Sequence, residues 1–575
     1  MRHGVVIGTV IFILVIFAGQ AFGQTPPQRE EAGAQAERFQ EMTERERKKV
    51  EEKKLKPPKI EVQKEAEKPA ITGPSFVLKE IRVTGATLFT PQDLKPVYES
   101  YIGKLVTFKD LEMITSKIEA KYKEQGFLST AVYIPKQEIS PSEGIVEIAV
   151  SEGTRGELKV EGNRYFSLEF IKRYFHIKKN ELLNFKKLTR DILRLNQNPD
   201  LEVKVLISPG ESPGSSDITL RVKDKFPWHA GAGVDNQGTR LTGKYRTSVY
   251  GRSSNVTGCG DSLFVNTLFS AGSFGESVSY TLPIDTYGTK LGFDYTYFWM
   301  KLGKEFSSFN ITGNTQFYTP RISWEMALTE DFSANINAGI QIKSIKRFED
   351  GNTMSNDQLR LPYIGYDIIS VDSFGSGGQN SFSPQFVFGT SDFLGASSKD
   401  NAKAGRPGTG GAFVKYKQYF SRFQKTLFES YLQIRSQFQL ASNDLPSSEQ
   451  LQLGGESSVR GYPEGDFLAD AGATLNLDWI FPMYLFPKDW KLPRSDTPLR
   501  NQIEPFVFMD LGGGKLMKTL PGEKKEKFLM GLGGGLRVRL YGKVFLKLEW
   551  AEAVGENPIS GAGPSTFYFT FQGEI

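Results

Sequence analysis

The side chains that could carry out catalysis are few in this sequence. Its three histidines are His3, His176 and His229, and its one cysteine is Cys259. So few imidazole and thiol groups leave little material for a zinc or haem site, and a single cysteine excludes an intrachain disulfide. The Gly-x-Ser-x-Gly spacing found in many hydrolases occurs at Gly210-Glu211-Ser212-Pro213-Gly214, but there it forms a turn between two predicted strands and not the strand-to-helix turn that a hydrolase nucleophile needs. We therefore expect no enzymatic activity, no bound metal and no cofactor.

One pair of charges is a better candidate for a functional interaction. Arg460 lies in the segment Leu453–Tyr462, between predicted strands, and Asp510 lies on the second predicted strand downstream. A guanidinium can donate a charge-assisted, bidentate hydrogen bond to a carboxylate. The residues alone leave open whether these two charges meet or serve separately. The candidate residues are Val459, Arg460, Gly461 and Tyr462 in the loop, and Phe508, Asp510 and Gly512 on the strand.

The elements that must position this pair are typical of a β-barrel. Over residues 226–575, segments with alternating apolar and polar side chains are separated by Gly, Asn, Asp and Ser, as in transmembrane β-strands. Glycine accounts for 58 of the 575 residues and aromatic residues for 12%. We count roughly 16 or 17 strands, and a barrel with both ends on one side of a membrane needs an even number. The sequence therefore predicts a mainly β fold with a barrel of sixteen antiparallel transmembrane strands; the alternative is a pair of soluble β-sandwiches.

The N-terminus carries the features of an export signal. A basic start at Arg2 precedes an apolar stretch over 5–17 and the small residues of Ala21-Phe22-Gly23. This order predicts a cleaved signal peptide over residues 1–23, with an uncleaved membrane anchor as the alternative. No later apolar run reaches about 18 residues, which excludes a bundle of transmembrane helices. The net charge of +5 gives no indication of nucleic-acid binding.

Residues 24–56 are predicted to form a charged helix. Strong helix formers fill 28–55, and opposite charges recur at helical spacing, as in Glu44 and Lys48. A helix that is polar all round cannot bury itself in an ordinary core. We expect it to lie in the polar lumen of the barrel and to plug it at rest, with residues 57–74 as an extended linker.

Two segments of the chain repeat at an offset of 77 residues. Val83-Thr84-Gly85 matches Val160-Glu161-Gly162, and later positions match at the same offset. So long a period indicates duplicated domains. We place them at 75–152 and 153–225, each with the order strand, helix, helix, strand, strand.

These repeats resemble polypeptide-transport-associated (POTRA) domains. Val459–Tyr462 resembles the VRGF/Y loop motif, and Phe508–Gly512 the F-x-D-x-G strand motif, of the superfamily that includes the barrel-assembly insertase. Asn255–Asp261 is similar to an early-barrel turn of that superfamily. Two tandem POTRA domains behind an N-terminal helix resemble, more specifically, two-partner secretion transporters of the hemolysin-activator type. The chain departs from the pattern at its end, 571–575, which does not finish on an aromatic residue, and at Cys259, to which we assign no role.

The resemblance implies a function. Such a transporter lies in the outer membrane, among lipid and lipopolysaccharide, after insertion by the barrel-assembly machinery. Its POTRA domains in the periplasm bind an unfolded partner exoprotein, which then passes through the barrel to the cell surface. The resemblance also implies that Arg460 and Asp510 are partners across the lumen. The alternative function is insertion of other barrels, although insertases usually carry more POTRA domains; an outer-membrane enzyme or a plain porin fits less well.

An open sheet edge in each repeat would bind the partner protein. A short sheet can add an extended peptide strand through backbone hydrogen bonds. We expect the fourth element of each repeat, 129–135 and 201–207, to lie at such an edge; otherwise the repeats are spacers. The residues expected to contact cargo are Ser129, Thr130, Val132, Ile134, Leu201, Val203 and Val205.

Overall fold

The computed structural model describes residues 31–51, 60–62, 75–140, 143–212, 214–559 and 562–575. The predicted signal peptide, 1–23, lies outside these ranges. So do both ends of the predicted charged helix and most of the predicted linker, 57–74. Among the residues described, no helix is long and apolar enough to cross a membrane.

The described chain begins with a helix, α1, and a short strand, β1. Helix α1 spans Ala32–Glu51 and strand β1 spans Ile60–Val62. Helix α1 lies inside the barrel formed by the C-terminal part of the chain, where it contacts strands that begin more than 200 residues later. Strand β1 lies on the second repeat.

The first repeat has the predicted order of elements. Its core strands and helices are β3, α2, α3, β5 and β6, and the sheet has the order β3-β6-β5. Thr90 and Thr107 each form a capping box, with Asp93 and Asp110, at the start of α2 and α3, which satisfies backbone donors at both helix starts. The bounds are β2 Phe76–Val77, β3 Glu80–Thr84, α2 Pro91–Tyr98, β4 Leu105–Val106, α3 Phe108–Glu124, β5 Ala131–Tyr133 and β6 Ile145–Ser151.

The second repeat follows the same order. Asn184 caps its longer helix by accepting two backbone hydrogen bonds. Buried side chains of that helix pack on the sheet, among them Leu188 and Ile192. The bounds are β7 Thr154–Glu161, α4 Leu168–Arg173, α5 Phe185–Asn196, β8 Leu201–Pro209 and β9 Ser215–Asp224.

The two glycines matched by the repeat occupy equivalent tight positions. Gly85 and Gly162 have φ of +76° and +89°, a conformation that favours glycine. A Cβ atom would lie 2.2 Å from the carbonyl oxygen of Val150 at Gly85, and 2.5 Å from that of Val222 at Gly162. Each glycine therefore lets the end of the first strand turn close to the last strand of its own domain.

The prediction that residues 201–207 form a free sheet edge in the second repeat is wrong. Its sheet has the order β1-β8-β9-β7, and β1 pairs in parallel with β8, Ile60 opposite Val205. The backbone edge of β8 is therefore already occupied by a strand from the predicted linker. The side chains of Leu201, Val203 and Val205 are also buried in the domain core. Local sequence did not reveal this pairing because β1 has only three residues and lies about 140 residues before its partner.

The C-terminal part of the chain is a closed barrel of sixteen antiparallel strands, which confirms the predicted fold. Each barrel strand pairs with the next barrel strand along the chain, so that β20 pairs with β23, and the first pairs with the last. Its strands are β10 Trp228–Asp235, β11 Arg246–Ser253, β12 Ser262–Ser270, β13 Ser273–Pro283, β14 Lys290–Lys301, β15 Thr312–Leu328, β16 Phe332–Glu349, β17 Asn352–Asp372, β18 Gly378–Gly389, β19 Phe413–Lys425, β20 Tyr431–Ala441, β23 Ala471–Ile480, β24 Ile503–Lys515, β25 Glu526–Leu540, β26 Val544–Ala553 and β27 Ser565–Glu574. The loop after β20 contains a small hairpin, β21 Leu451–Leu453 and β22 Phe467–Ala469.

Side chains alternate between the two faces of the barrel wall. Thr296 and Lys343 face the lumen and are buried, whereas Val249, Phe293 and Val507 are exposed on the outer face. A polar interior with an apolar exterior is the arrangement of a membrane barrel.

The second repeat packs against the end of the barrel at which β10 begins, which we call the repeat end. Nε2 of His176 lies 2.7 Å from Oγ1 of Thr286, and Arg194 donates two hydrogen bonds to Glu325. Gly260, in the turn after β11, has φ of +76°, and a Cβ there would lie 2.7 Å from the ring of Phe170. These contacts fix the domain beneath the turns between β11 and β16.

Candidate functional site

The loop between β20 and β23, residues 442–470, folds into the lumen. Its hairpin buries Leu453, Val459, Tyr462 and Phe467 against the inner wall. Gly461 has φ of +94°, and a Cβ there would lie 2.7 Å from the backbone nitrogen of Ala553 on β26. The loop therefore approaches the wall closely at the residue after Arg460.

The structure brings Arg460 and Asp510 together. Nε of Arg460 lies 2.7 Å from Oδ2 of Asp510, and Nη2 lies 2.8 Å from Oδ1. The backbone N–H of Arg460 also donates to Oδ2. Both side chains are fully buried, and the Phe508 ring lies 3.4 Å from the guanidinium carbon of Arg460. The bond is the bidentate form that sets Arg apart from Lys.

Two further carboxylates contact the same guanidinium. Nη2 of Arg460 lies 2.5 Å from Asp478, and Nη1 lies 2.8 Å from Glu549. Arg537 donates to Asp478, and Lys547 lies 2.7 Å from Glu549. Three buried carboxylates thus surround Arg460. Two of them also pair with a second cation, Asp478 with Arg537 and Glu549 with Lys547. We call this set, Arg460, Asp478, Asp510, Arg537, Lys547 and Glu549, the lumen ion cluster.

Sequence reasoning missed Asp478 and Glu549. Asp478 lies on β23 directly opposite Phe508 of β24, and Glu549 lies on β26. Strand alternation indicates only that both face the lumen. The inward fold of the loop is what brings Arg460 to both.

Two glycines make room for the loop against the wall. A Cβ on Gly512 would lie 2.6 Å from Cγ2 of Val459, which accounts for the glycine of the strand motif. A Cβ on Gly531 of β25 would lie 2.1 Å from the carbonyl oxygen of Arg460. Gly531 was not among the predicted residues, because no feature of its strand marks it out.

Helix α1 occupies the rest of the lumen and contacts the same loop. Arg38 donates two hydrogen bonds to Gln452, at 2.9 and 2.7 Å, and Gln452 donates to the carbonyl oxygen of Ala34 at 2.7 Å. On the wall side, Lys343 lies 2.6 Å from Glu37 of the helix and 2.6 Å from Glu449 of the loop. The helix, the loop and the wall therefore share one set of polar contacts.

The helix is not polar all round, contrary to the sequence-based expectation. Ala32, Ala36 and Phe39 are buried in an apolar cluster on the inner wall that includes Phe298 and Phe317. Sequence inspection missed this stripe because alanine contributes little to a count of apolar residues. Two wall glycines face it: a Cβ on Gly275 would lie 2.9 Å from the Phe39 ring, and one on Gly313 would lie 2.5 Å from Cβ of Ala32.

A small polar cavity remains between the helix, the loop and strands β19 and β20. Its lining includes Glu37, Glu41, Tyr419 and Glu449. The lumen is thus filled by the helix and the loop and keeps a polar space between them. No group of residues suited to holding a metal occurs in the described part of the chain.

The predicted cargo residues of the first repeat lie on or beside an outer strand. Val132 is in the middle of β5, which is last in the order β3-β6-β5. Thr130 immediately precedes β5 and is buried, and Ser129 and Ile134 flank the strand. The two repeats therefore differ, because the equivalent strand of the second repeat has a neighbour on both sides.

Comparison with known proteins agrees with this architecture. The family model described as haemolysin secretion/activation protein ShlB/FhaC/HecB matches residues 214–538, more than half of the chain, and the model of the ShlB-type POTRA domain matches residues 76–153. Among relatives, the heme/hemopexin transporter protein HuxB of Haemophilus influenzae (strain 86-028NP) is 24% identical over 487 residues, which are 83% of each chain. The outer membrane transporter CdiB of Escherichia coli is 25% identical over 428 residues, 72% of this chain and 70% of the relative.

The fold also resembles a solved structure of the same kind. The structure of CdiB from Escherichia coli superposes with a TM-score of 0.74 at 21% identity, covering 96% of this chain and 100% of that one. The chain belongs to the haemolysin secretion/activation protein family ShlB/FhaC/HecB and is an outer-membrane protein transporter of two-partner secretion, with its POTRA domains in the periplasm.

Proposed function

We propose that this transporter works by removing helix α1 from the lumen while the loop 442–470 stays locked to the wall. The observation that carries the proposal is the way the two lumen occupants are attached. The loop is continuous with barrel strands at both ends, whereas α1 leads through strand β1 to the first POTRA domain and belongs to no β-ladder. The helix contacts the wall through side chains, so it can leave as one unit without breaking a β-ladder.

Cargo capture is assigned to the outer strand β5 of the first POTRA domain. An unfolded partner would pair with β5 through backbone hydrogen bonds, which make little demand on cargo sequence. In the second POTRA domain the same position is taken by β1, which begins nine residues after the end of α1 in the chain. A cargo strand that displaced β1 from β8 would free the segment that leads directly to α1. Binding at the second domain would then favour release of the helix.

The lumen ion cluster has a separate role in this proposal. Arg460 holds the loop against β23, β24 and β26, which keeps one side of the lumen constant while the helix side opens. The surrounding partners we propose are the phospholipid and lipopolysaccharide of the outer membrane, and the barrel-assembly machinery that inserts the chain. The named relatives are transporters, and we propose that this chain likewise has no enzymatic activity and no cofactor.

Comparison of secreted proteins from cells with and without this chain tests the function. Loss of one large exoprotein from the medium, with other barrels at normal levels in the outer membrane, is the expected result. A general loss of outer-membrane barrels would instead support an insertion factor and would contradict the proposal.

Deletion of residues 28–55 tests the plug. The variant should show a larger single-channel conductance in planar bilayers, because the helix fills the lumen beside the loop. A conductance equal to that of the full chain would show that the helix does not limit the pore.

A proline at Val132 tests strand addition on β5. Proline removes a backbone donor and is poorly tolerated within a paired strand, so binding of purified unfolded partner to the periplasmic domains should weaken while barrel insertion stays normal. Circular dichroism of the isolated variant must show a folded domain. Unchanged cargo binding in a folded variant would move the capture site to another surface.

A further inference from the structure

The repeat end of the barrel has an unusual turn on the side away from the second POTRA domain. Turns at this end of membrane barrels are short, but the connection between β23 and β24 is 22 residues long, 481–502. It is internally ordered. The backbone N–H of Leu499 donates to the carbonyl oxygen of Trp490 at 2.8 Å, and the rings of Phe486 and Trp490 lie 5.3 Å apart. We call this connection the long turn.

The long turn is joined to the neighbouring turn after β19, residues 426–430. Glu429 accepts hydrogen bonds from Lys488, at 2.9 Å, and from Arg500 of the long turn. The hydroxyl of Tyr484 donates to the carbonyl oxygen of Phe428. The two turns therefore form one body.

This body displays large apolar side chains. Phe428 is 81% exposed and Leu485 is 87% exposed. Phe428 and Glu429 both have positive φ, +59° and +60°, which is strained for residues other than glycine. Glu429, within this strained turn, is ion-paired with Lys488 and Arg500. The exposed set, which we call the rim patch, is Phe374, Leu427, Phe428, Tyr484, Leu485 and Trp490.

The rim patch continues the outer face of the barrel. Trp479, exposed on the outer wall at the end of β23, donates from Nε1 to Oγ of Ser430 at 3.2 Å, in the turn that carries Phe428. Phe374 lies at the same end of the barrel, in the turn after β17, with the guanidinium of Arg422 5.7 Å from its ring. The patch is therefore continuous with the lipid-facing surface rather than with the lumen.

The charges of the long turn suit a phosphate-bearing surface. Its cations are Lys488, Lys491, Arg494 and Arg500, and its carboxylates are Asp489 and Asp496. Lys488 and Arg500 pair with Glu429, whereas Lys491 and Arg494 are exposed and can face phosphate. Aromatic side chains together with Lys and Arg are the residues enriched where a membrane meets water. We propose that the rim patch and the long turn lie in the headgroup layer of the periplasmic leaflet and bind its phospholipids, which braces the side of the barrel opposite the second POTRA domain.

Nitroxide depth measurement on the full-length protein in phosphatidylethanolamine and phosphatidylglycerol vesicles tests this proposal. In a Cys259→Ser background, Phe428→Cys and Leu485→Cys are spin-labelled, with Val507→Cys on the outer wall as the lipid reference and Lys399→Cys on the opposite end as the water reference. The gel-mobility shift of the folded barrel must persist in each variant. Labels at 428 and 485 should have a ratio of oxygen to nickel-chelate accessibility between that at 507 and that at 399, as expected at headgroup depth.

Two results would overturn the assignment. A nickel accessibility at 428 and 485 equal to that at 399 would place the rim patch in water. Labels that are mobile in vesicles and become immobile only on addition of the unfolded partner would make the rim patch a cargo surface. Tryptophan fluorescence provides a second test without labels. The contribution of Trp490, obtained as the difference between the unsubstituted protein and Trp490→Phe, should be quenched by brominated phospholipids. Absence of quenching would exclude contact of Trp490 with lipid.

Discussion

The loop 442–470 and helix α1 fill the same lumen but are held in different ways. The loop centres on Arg460, whose guanidinium contacts Asp478, Asp510 and Glu549, all of them fully or almost fully buried. The ion pairs of the helix range from the buried pair of Glu37 and Lys343 to the half-exposed pair of Glu44 and Lys48. The loop is held by one buried ion cluster. The helix is held by many contacts, some buried and some exposed to water.

This difference suggests how a pore can contain a fixed and a removable part. Taking one ion out of a buried network costs several kcal/mol because its partners stay desolvated. Exposed pairs break at little cost because water replaces the partner. The helix also packs through alanine and one phenylalanine, so its departure exposes a narrow apolar stripe rather than a full core.

The largest effect is expected at the fixed part. Arg460→Ala removes the cation from three buried carboxylates, a change of about 3–5 kcal/mol for a buried pair that loses one partner. Secretion of the partner into the medium, measured by immunoblot, should fall to a small fraction of the normal level while the folded barrel persists on gels. Arg460→Lys should restore little secretion, because a lysine ammonium cannot make the two parallel hydrogen bonds to Asp510 that the planar guanidinium makes.

The structure sharpens this prediction with a second variant. Asp510→Ala leaves Arg460 in contact with Asp478 and Glu549, so its defect should be smaller than that of Arg460→Ala. The double variant should be no worse than Arg460→Ala alone, since residues in one network are not additive. Simple addition of the two defects would mean that the residues act separately.

An intermediate effect is expected at the most buried contact of the helix. Lys343→Met removes the cation shared by Glu37 and Glu449, and a hydrogen bond to a charged group contributes about 1.5–3 kcal/mol. The frequency of open events in planar bilayers should therefore rise by about tenfold or more, since about 1.4 kcal/mol corresponds to a factor of ten.

The matched control is Lys48→Met on the helix itself. Lys48 is 40% exposed and pairs with Glu44 at 3.1 Å, and exposed pairs contribute at most about 1 kcal/mol. An equal rise in open events with Lys343→Met and with Lys48→Met would show that buried and exposed ion pairs hold the helix equally.

The smallest effect is expected from steric pressure on the helix. Gly313→Ala places a Cβ 2.5 Å from Cβ of Ala32, and overpacking of this kind costs about 1–3 kcal/mol, less where the neighbour can shift. A modest rise in open events should result. Gly251→Ala on β11 is the control, because the nearest atom to its Cβ would be 4.0 Å away. A rise with Gly251→Ala as large as with Gly313→Ala would assign the effect to the wall rather than to the helix.

The sequence by itself determined the wall of this protein and its duplicated domains. Alternation along each strand is a local property with a period of two, and closure of the barrel in a membrane requires an even number of strands. The repeat at an offset of 77 likewise predicts two domains of one order, down to the glycines at 85 and 162. The motif residues Arg460 and Asp510 could be named, although their meeting depended on a resemblance.

Only the tertiary structure decided what fills the lumen and which edges are covered. Asp478 and Glu549 join Arg460 because a loop folds inward across three strands, a contact between positions 18 and 89 residues apart. Strand β1 covers β8 although nothing in its three residues specifies a partner. The alanine stripe of α1 becomes apolar packing only against wall glycines such as Gly313. In each case the deciding free energy comes from contacts between distant segments, and local propensity and periodicity do not carry that information.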